Sequence, residues 1–296
     1  MLSEPDGPGG ALTVWAPAKV NLFLEVLGRR SDGYHAVETL MLAVSLFDDL
    51  EFRDDPSGAV RLACTDPALG TGPDNLVVRA AELLRQRTGH PGGTAVRLVK
   101  RIPWAAGLAG GSSDAAATLA GLNRLWRLGL TSDALAALAA ELGSDVAFFL
   151  SPPAAWCTGR GEIVTPVRPG KRLRLVVVSP MMGLSTADVF RGVTVPEKPV
   201  SGDAIRAAFA AGDASALGRL LFNRLQEPAE RLSPEVAEWR RRLAALGPAG
   251  CLVSGSGSSL FALGRDRADA VRMAAAIRPR SPERSGPRVF LVRSCV

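Results

Sequence analysis

The sequence has few of the residues that mark metal-rich, disulfide-bonded or secreted proteins. Its 296 residues include only four cysteines and two histidines. The cysteines lie far apart with no C-x-x-C pair, so neither a zinc site nor a disulfide framework is predicted. The N-terminus, MLSEPDGPGG, is acidic and glycine-rich rather than basic and then apolar, and we expect no signal peptide. These absences favour a protein of the reducing cytoplasm.

Long apolar runs and a strong charge bias are also missing. No stretch of about 18 apolar residues occurs, which argues against a membrane span. With 47% apolar and 22% charged residues, the composition is that of a globular protein long enough for two domains. The net charge is +6, and arginines concentrate in RPRSPERSGPR near the C-terminus. Because aromatic residues are almost absent there, we favour an enzyme for anionic substrates over a nucleic-acid-binding protein.

The common nucleotide-binding signatures are absent as well. The sequence contains no G-x-G-x-x-G, no Walker A motif, and neither the H-R-D nor the D-F-G segment of protein kinases. It contains instead PWAAGLAGGSSDAAATLAGLN (103–123), in which small residues run into Ser-Ser-Asp and then into a helical pattern. A glycine loop that opens a helix presents N–H groups and a positive dipole end to an anion. This segment is therefore interpreted as a phosphate-binding loop, the alternative being a tight turn that serves packing alone.

Hydrophobic periodicity predicts the elements around this loop. Alternation over residues 20–26 of KVNLFLEV predicts a half-buried strand, with Lys19 and Asn21 on its polar face. DNLVVRAAELLRQRTG predicts a helix whose N-cap is Asp74 or Asn75. After the loop, Ser112 or Ser113 is predicted to cap a helix that runs to about Leu128. A further helix is expected from Thr131 to Gly143, and GSDVAFFL is expected to restart helical structure.

The second half of the chain contains strands and helices without a strict βαβ rhythm. AAWCTGRGEIVTPV reads as a hairpin, LRLVVVSP as a strand buried on both faces, and GCLVSGSGSSLFALG as two strands joined by a glycine-serine turn. Predicted helices cover residues 202–211, 213–226, 233–246 and 266–276, and a final strand covers 288–293. RPGKR marks the predicted boundary between domains 1–168 and 169–296. The pattern favours two α+β domains.

Several polar residues lie in apolar surroundings that suggest chemistry. Asp145 is followed by four apolar residues, so it is either a helix cap or a partly desolvated general base. Lys19 is either an edge lysine that reaches solvent or, with Asn21, part of a polar site. Tyr34 and His35 in DGYH offer a flat face and a donor that suit a base ring. SGSGSS (254–259) is either a plain hairpin loop or a second anion-binding nest.

Taken in order, seven segments resemble the GHMP kinase superfamily: APAKVNLFLEV, DGYHAVETLM, DNLVVRAAELL, PWAAGLAGGSSDAAATLAGLN, LGSDVAFFL, GRGEIVTPV and SGSGSSLFAL. PAKVNLFL followed by DGYH narrows the resemblance to the branch that phosphorylates a cytidyl substrate. The resemblance implies an α+β, two-domain architecture, with an N-terminal ATP-binding and catalytic domain and a C-terminal α/β-sandwich (ferredoxin-like) domain. It also implies transfer of the ATP γ-phosphoryl group to a substrate hydroxyl without a covalent enzyme intermediate.

Site residues follow from the matching motifs. Asp145 resembles the base that takes the hydroxyl proton, and Lys19 resembles the cation that orients it. The cytidyl substrate would contact Asn21, Tyr34, His35, Thr186 and Phe190, with Phe190 as the stacking face opposite Tyr34 and His35. ATP would contact Asn75, Lys100, Pro103, Trp104, Ala105, Ala106, Gly107, Leu108, Ala109, Gly110, Gly111, Ser112 and Ser113.

The implied cofactors are ATP and Mg²⁺, with Ser112 or Ser113 as the magnesium ligand. We expect a monomer or weak homodimer with no nucleic-acid and no membrane partner. Ala105, Ala106 and Ala109 stand where glycine is common in the superfamily, and because a β-carbon disfavours positive φ, we expect negative φ at Ala109. The alternatives are another GHMP kinase, acting on homoserine or a mevalonate derivative, and a basic nucleic-acid-binding protein.

Overall fold

The computed structural model describes residues 3–7, 10–151, 153–180, 182–278 and 286–295, with backbone alone for 3–7. The strands are β1 (Ser3–Gly7), β2 (Ala11–Arg29), β3 (His35–Asp55), β4 (Val60–Cys64), β5 (Gly93–Val99), β6 (Ala154–Thr158), β7 (Ile163–Pro166), β8 (Arg174–Ser179), β9 (Phe222–Asn223), β10 (Gly250–Val253), β11 (Leu260–Gly264) and β12 (Arg288–Arg293). The α-helices are α1 (Leu76–Thr88), α2 (Gly110–Leu125), α3 (Ser132–Leu142), α4 (Thr186–Arg191), α5 (Asp203–Ala211), α6 (Ala214–Leu220), α7 (Gln226–Leu232), α8 (Pro234–Ala245) and α9 (Arg267–Ile277), and Ala147–Leu150 forms a 3₁₀ turn. Over these ranges no helix has both the length and the apolar character needed to cross a membrane.

The chain divides into two compact units that interleave along the sequence. The first unit contains Met1–Ala18, Leu46–Ile102 and Ala109–Ser151, and the second contains Lys19–Ser45, Pro103–Leu108 and Pro152–Val296. The long strands β2 and β3 each contribute one part to either unit. The predicted boundary between residues 168 and 169 separates two family domains. The division into units by contacts does not test that boundary, so it stays a prediction.

The first unit is a sheet covered by helices. Its strand order is β1-β2-β3-β5-β4, with β3 antiparallel to β5 and β4 parallel to β5. Helices α1, α2 and α3 pack against one another, and α2 packs on the 3₁₀ turn. A glycine inside α2 permits the close approach of helix and sheet, because a β-carbon at Gly121 would lie 2.9 Å from the Phe52 ring. This contact fixes how deeply α2 sits on its sheet.

The second unit contains a four-stranded antiparallel sheet and a smaller set of strand pairs. The order in the four-stranded sheet is β10-β11-β8-β12. Helices α8 and α9 pack on it, and Val176, Val178, Leu260, Ala270 and Met273 belong to the buried core between them. Elsewhere in the unit, β6 pairs with β3 and with β7, and β9 runs parallel to β2. The α+β architecture expected from the sequence is therefore present in both units.

Elements set by local signals lie where the sequence predicted them. Helix α1 begins after Asn75, whose side chain accepts from the Val77 N–H, and it ends at Gly89 with positive φ. Helix α3 is capped by Thr131. The predicted hairpin is β6–β7, and the strand that was expected to be buried on both faces is β8.

Several predictions are wrong for tertiary reasons. Strand β2 is buried on both faces from Ala16 to Val26, so it is not half-buried. The predicted helix 213–226 is broken, because Phe222 and Asn223 pair with β2 as strand β9 between α6 and α7. The helical structure expected in GSDVAFFL, by contrast, is present as a short 3₁₀ helix, Ala147–Leu150. Helix α4 was not predicted, and it begins after Ser185.

A buried carboxylate ties three distant parts of the second unit together. Glu25 on β2 is fully buried, and its two oxygens accept hydrogen bonds of 2.7 Å from Nε and Nη2 of Arg224. They also accept from the backbone N–H groups of Val26 and Val200, at 2.8 Å each. Burial alone would raise the pKa of Glu25, but the Arg224 guanidinium and the two N–H groups outweigh it and hold this pKa below its usual value.

Replacement of Arg224 by methionine is expected to lower the free energy of unfolding by about 3 kcal/mol, because it leaves the Glu25 carboxylate buried without its cation. The matched control is Arg241→Met, whose partner Glu238 is exposed, and it should cost less than about 1 kcal/mol. Urea unfolding at pH 7 measures both. Since the folded pKa of Glu25 lies below the ordinary value of 4.5, its stabilisation is present above that pH and is lost as the pH falls below it. Equal losses in the two variants would contradict the role of the pair.

Candidate functional site

A row of polar side chains crosses the buried strand β2 in the second unit. Nζ of Lys19 donates to Oδ1 of Asn21 at 2.6 Å, and Nδ2 of Asn21 donates to Oγ1 of Thr39 at 2.8 Å. The Thr39 hydroxyl donates in turn to the carbonyl of Phe23 at 2.6 Å. The side chains of Lys19, Asn21 and Thr39 are all buried. Because a buried ammonium is costly unless it is hydrogen-bonded, this chain of bonds fixes where the Lys19 charge lies.

The glycine-serine loop 254–259 packs on the first part of the glycine loop. Oγ of Ser254 donates to the carbonyl of Gly107 at 2.9 Å, and the N–H of Ser259 donates to the carbonyl of Ala106 at 3.1 Å. The next carbonyl, that of Leu108, accepts from the backbone N–H of Lys19 at 3.1 Å. Three consecutive carbonyl oxygens are thus engaged within the second unit rather than turned toward an anion.

The same serine loop lies close to the Lys19 ammonium. A β-carbon added at Gly255, where φ is +57°, would lie 3.3 Å from Nζ of Lys19 and 3.4 Å from Oδ1 of Asn21. A second glycine is required at Gly107, where φ is +73° and a β-carbon would lie 2.0 Å from the Ser254 carbonyl oxygen. The loop 254–259 is therefore more than a plain hairpin turn, while its role as an anion nest stays a prediction.

Two alanines of the glycine loop have the backbone conformation that is usual for glycine. Ala105 has a φ of +51° and Ala109 a φ of +55°, so the expectation of negative φ at Ala109 is wrong. A non-glycine residue in this region costs on the order of 1 kcal/mol. The hydrogen bonds to the carbonyls of residues 106–108, which lie between the two alanines, outweigh the preference of alanine for negative φ.

Helix α2 begins earlier than the sequence predicted. Its N-cap is Ala109 with no side-chain cap, and its first residue is Gly110, so neither Ser112 nor Ser113 is the cap. The first N–H groups of a helix have no intrahelical acceptor, and an uncapped start leaves them for a ligand. Ser112 is half-buried, whereas Ser113 is fully buried and its Oγ has no hydrogen-bond partner among the residues that the structure describes.

A lysine next to this helix start is held between two carboxylates in the first unit. Nζ of Lys100 lies 2.5 Å from Oδ2 of Asp48 and 2.6 Å from Oδ2 of Asp114. Burial would lower the pKa of Lys100, but the two carboxylates outweigh it and raise this pKa above its usual value. Burial, opposed by the Lys100 ammonium, raises the pKa of Asp114 to about 7.

The other residues assigned to the nucleotide and to proton transfer have the following surroundings. Asn75 caps α1 through Oδ1, and its Nδ2 donates to the carbonyl of Gly70 at 2.7 Å. Trp104 is 52% exposed. Asp145 is half-buried and directly precedes four buried residues, Val146 to Phe149, at the 3₁₀ turn. These observations leave the roles of Asn75 and Asp145 as predictions.

The residues expected to hold the cytosine all belong to the second unit. Tyr34 is 51% exposed, and the Arg160 guanidinium lies 5.0 Å from the centre of its ring. His35 stacks on Phe190 with ring centres 5.2 Å apart, so in this conformation Phe190 faces His35 directly. Burial, aided by the Arg29 charge, lowers the pKa of His35 and favours a neutral imidazole at pH 7.

Thr186 was predicted as a substrate contact, and the structure gives it a partner that the sequence did not indicate. Thr186, the first residue of α4, has its Oγ1 2.9 Å from Oγ of Ser256, which joins the substrate segment to the serine loop. Thr39 and Arg160 in this unit, and Asp48 in the first unit, were not singled out from the sequence. Strand pairing or a hairpin gives each of them its place within its own unit, and nothing in the local sequence marks them.

Comparison with known proteins shows which family this chain resembles. The family model described as GHMP kinases N terminal domain matches residues 75–152, and that described as GHMP kinases C terminal matches residues 205–281. A protein of Pelotomaculum thermopropionicum named 4-diphosphocytidyl-2-C-methyl-D-erythritol kinase is 44% identical over 90% of this chain and 94% of its own length. A protein of the same name from Symbiobacterium thermophilum is 44% identical over 89% of this chain and 94% of its own length.

Solved structures show the same relationship. The crystal structure of a 4-(cytidine 5'-diphospho)-2C-methyl-D-erythritol kinase is 38% identical, with a TM-score of 0.77 over 95% of this chain and 98% of that chain. The homoserine kinase from Cytophaga hutchinsonii has a TM-score of 0.76 over 99% of this chain and 97% of that chain, but only 20% identity. The second similarity is one of fold alone.

The limited space around Gly255 predicts that adding a β-carbon there lowers the stability of the fold. Gly255→Ala should lower the free energy of unfolding by about 1 kcal/mol more than Gly247→Ala does. Both glycines have positive φ, but a β-carbon at Gly247 meets nothing within 4 Å, whereas the one at Gly255 would lie 3.3 Å from both the Gly107 carbonyl oxygen and Nζ of Lys19. Chemical denaturation of the two variants tests this, and equal losses would show that Lys19 is not held against the serine loop.

Proposed function

The chain belongs to the GHMP kinase family, and on that premise we propose that it transfers the γ-phosphoryl group of ATP to the 2-hydroxyl of 4-diphosphocytidyl-2-C-methyl-D-erythritol, a step of non-mevalonate isoprenoid precursor synthesis. The observation that carries the substrate is the 44% identity, over 90% of the chain, to a relative named for it. The stack of His35 on Phe190 and the exposed ring of the adjacent Tyr34 support a site for a planar base. Release of ADP that depends on this substrate tests the proposal.

Asp145 and Lys19 would perform the chemical step. The substrate 2-hydroxyl oxygen attacks the γ-phosphorus, the bond between this phosphorus and the β,γ-bridging oxygen breaks, and ADP leaves. The hydroxyl proton passes to the Asp145 carboxylate. Such transfers have loose transition states in which positioning and charge stabilisation provide most of the catalysis. The bonds from Lys19 through Asn21 to Thr39 support a cation held ready for this role.

The triphosphate would be bound by the N–H groups of the glycine loop and of the α2 start. The engaged carbonyls of Ala106, Gly107 and Leu108 support this orientation of the loop. Mg²⁺ would be held by Ser113 or Ser112, and the buried, unpartnered Oγ of Ser113 fits an oxygen ligand. The ion, when bound, would neutralise charge on the β and γ phosphates. Asn75 remains a proposed ATP contact.

Substrate recognition would use the aromatic residues of the second unit. Tyr34 presents an exposed ring, and a neutral His35 can accept or donate one hydrogen bond at the edge of a cytosine. Phe190 and Thr186 would complete this site, with Asn21 beside the reacting hydroxyl. A monomer or weak homodimer in the cytoplasm, without nucleic acid, also remains part of the proposal.

Other functions have weaker support. The homoserine kinase and the mevalonate kinase from Methanococcus jannaschii share the fold with this chain at 20% and 14% identity. A nucleic-acid-binding role is not favoured by relatives that are named as kinases over most of the chain. Of the arginine-rich segment on which it depended, residues 279–285 lie outside the described residues.

Asp145→Asn is expected to lower kcat by a factor of about 10² to 10⁴, because the amide cannot take the hydroxyl proton. The Kd for ATP, measured by calorimetry, should change little. Steady-state ADP release at saturating substrates measures kcat. A variant with near wild-type turnover would remove Asp145 from the proton-transfer step.

Tyr34→Ala is expected to raise KM for the cytidyl substrate by about 10-fold and to leave kcat within about 3-fold, because stacking acts equally on ground state and transition state. Tyr34→Phe is the matched control, since it keeps the ring and should retain the wild-type KM within about 3-fold. An unchanged KM in the alanine variant would show that the ring does not contact the substrate.

A further inference from the structure

A buried ion triad joins the two chain segments that flank the glycine loop. Lys100 lies before the loop, Asp114 lies in the first turns of α2 after it, and Asp48 on β3 contacts the lysine from the other side. The exposed fractions of these side chains are 3% for Lys100, 0% for Asp48 and 4% for Asp114. The triad lies entirely within the first unit.

Asp48 fixes the backbone that enters the loop. Its Oδ1 accepts from the N–H groups of Arg101 and Ile102, at 2.5 and 2.8 Å, while its Oδ2 accepts from Nζ of Lys100. One carboxylate therefore holds three consecutive residues. Lys100 also donates to Asp114 on α2. The backbone that enters the loop and the helix that follows it are therefore joined by one hydrogen-bond network.

The start of α2 lies directly over the ammonium group. A β-carbon at Gly110 would lie 2.9 Å from Nζ of Lys100 and 2.9 Å from Cγ2 of Ile102. Only a glycine permits this approach. The ammonium is thus enclosed by two carboxylates and by the first residue of the helix, with almost none of its surface exposed.

We propose that Lys100 is a positioning residue that acts on ATP through Asp114 and the first turn of α2, without touching the nucleotide itself. The proposal rests on the proposed function, because it takes the α2 start as the phosphate site. It replaces the direct ATP contact that the family resemblance implied for Lys100. Its physical basis is that the two strongest partners of the ammonium are already carboxylates, so its charge is neutralised inside the unit before any phosphate binds.

Double-mutant analysis tests whether Lys100 and Asp114 act on ATP binding through one connection. The variants are Lys100→Met, Asp114→Asn and the double variant, and the measurements are calorimetric Kd for ATP and KM for both substrates. Asp114→Asn keeps the shape of the side chain but weakens its bond to Lys100, and it should raise Kd and KM for ATP by about 10-fold. KM for the cytidyl substrate should stay within about 2-fold, a split that general loss of structure would not give.

Lys100→Met should weaken ATP binding by about 10- to 100-fold. The double variant should bind ATP no more weakly than Lys100→Met alone, because both changes break one connection. Multiplied effects would overturn the proposal, because they would show that Lys100 and Asp114 act on ATP binding independently. So would an unchanged Kd for ATP in Asp114→Asn.

Two controls keep the result interpretable. Arg87→Met breaks an exposed ion pair with Glu141 in the same unit, and it should leave the Kd for ATP within about 2-fold. If Lys100→Met does not fold, Asp48→Asn carries the test: its Oδ1 still accepts from the two backbone N–H groups, and a wild-type Kd for ATP in this folded variant would overturn the proposal. Because ATP binding is read by calorimetry, the triad is tested even if the cytidyl substrate fails to stimulate ADP release.

Discussion

A positive charge buried in an apolar strand is the constraint around which the candidate site is built. Lys19 lies on β2, where every residue from Ala16 to Val26 is buried. An ammonium in such surroundings must be paired and hydrogen-bonded, or the strand would lose stability. Asn21 and Thr39 supply part of that support, and Gly255 leaves the space that the ammonium occupies. The residue types at Asn21, Thr39 and Gly255 are therefore all constrained by the one charge of Lys19.

Two further buried charges follow the same rule with different partners. Glu25 is held by an arginine and two backbone N–H groups, and Asp48 by a lysine and two backbone N–H groups. Asp48 satisfies two backbone donors just after β5 ends, whereas Glu25 satisfies one donor on β2 itself and one at Val200, outside the strands. A buried ion pair contributes little net stability on average, since desolvation offsets attraction. Its effect here is to specify the path of the chain next to the glycine loop and along β2.

The sequence predicted those features that depend on neighbours within a few residues. The caps at Asn75 and Thr131, the helix stop at Gly89 and the β6–β7 hairpin all arise from local rules, and all are present. Features that depend on distant partners were missed. Arg224 and Glu25 are 199 residues apart, and Lys100 and Asp48 are 52 apart. No periodicity marks such pairs, and the helix predicted over 213–226 failed for the same reason, because pairing with β2 outweighs helix propensity at Phe222.

The two alanines of the glycine loop show how the fold can overrule a residue's own preference. A glycine at position 105 or 109 would adopt positive φ at almost no cost, whereas alanine pays on the order of 1 kcal/mol at each. Each net hydrogen bond contributes a comparable amount, and three consecutive loop carbonyls accept such bonds, from Ser259, Ser254 and Lys19. These bonds offset the strain of both alanines. In addition, the β-carbon of alanine lowers the conformational entropy of the unfolded chain relative to glycine, which favours the folded state. Glycine is therefore indispensable only where a neighbour fills the space, as at Gly107 and Gly110, and the loop can lose it elsewhere without losing its shape.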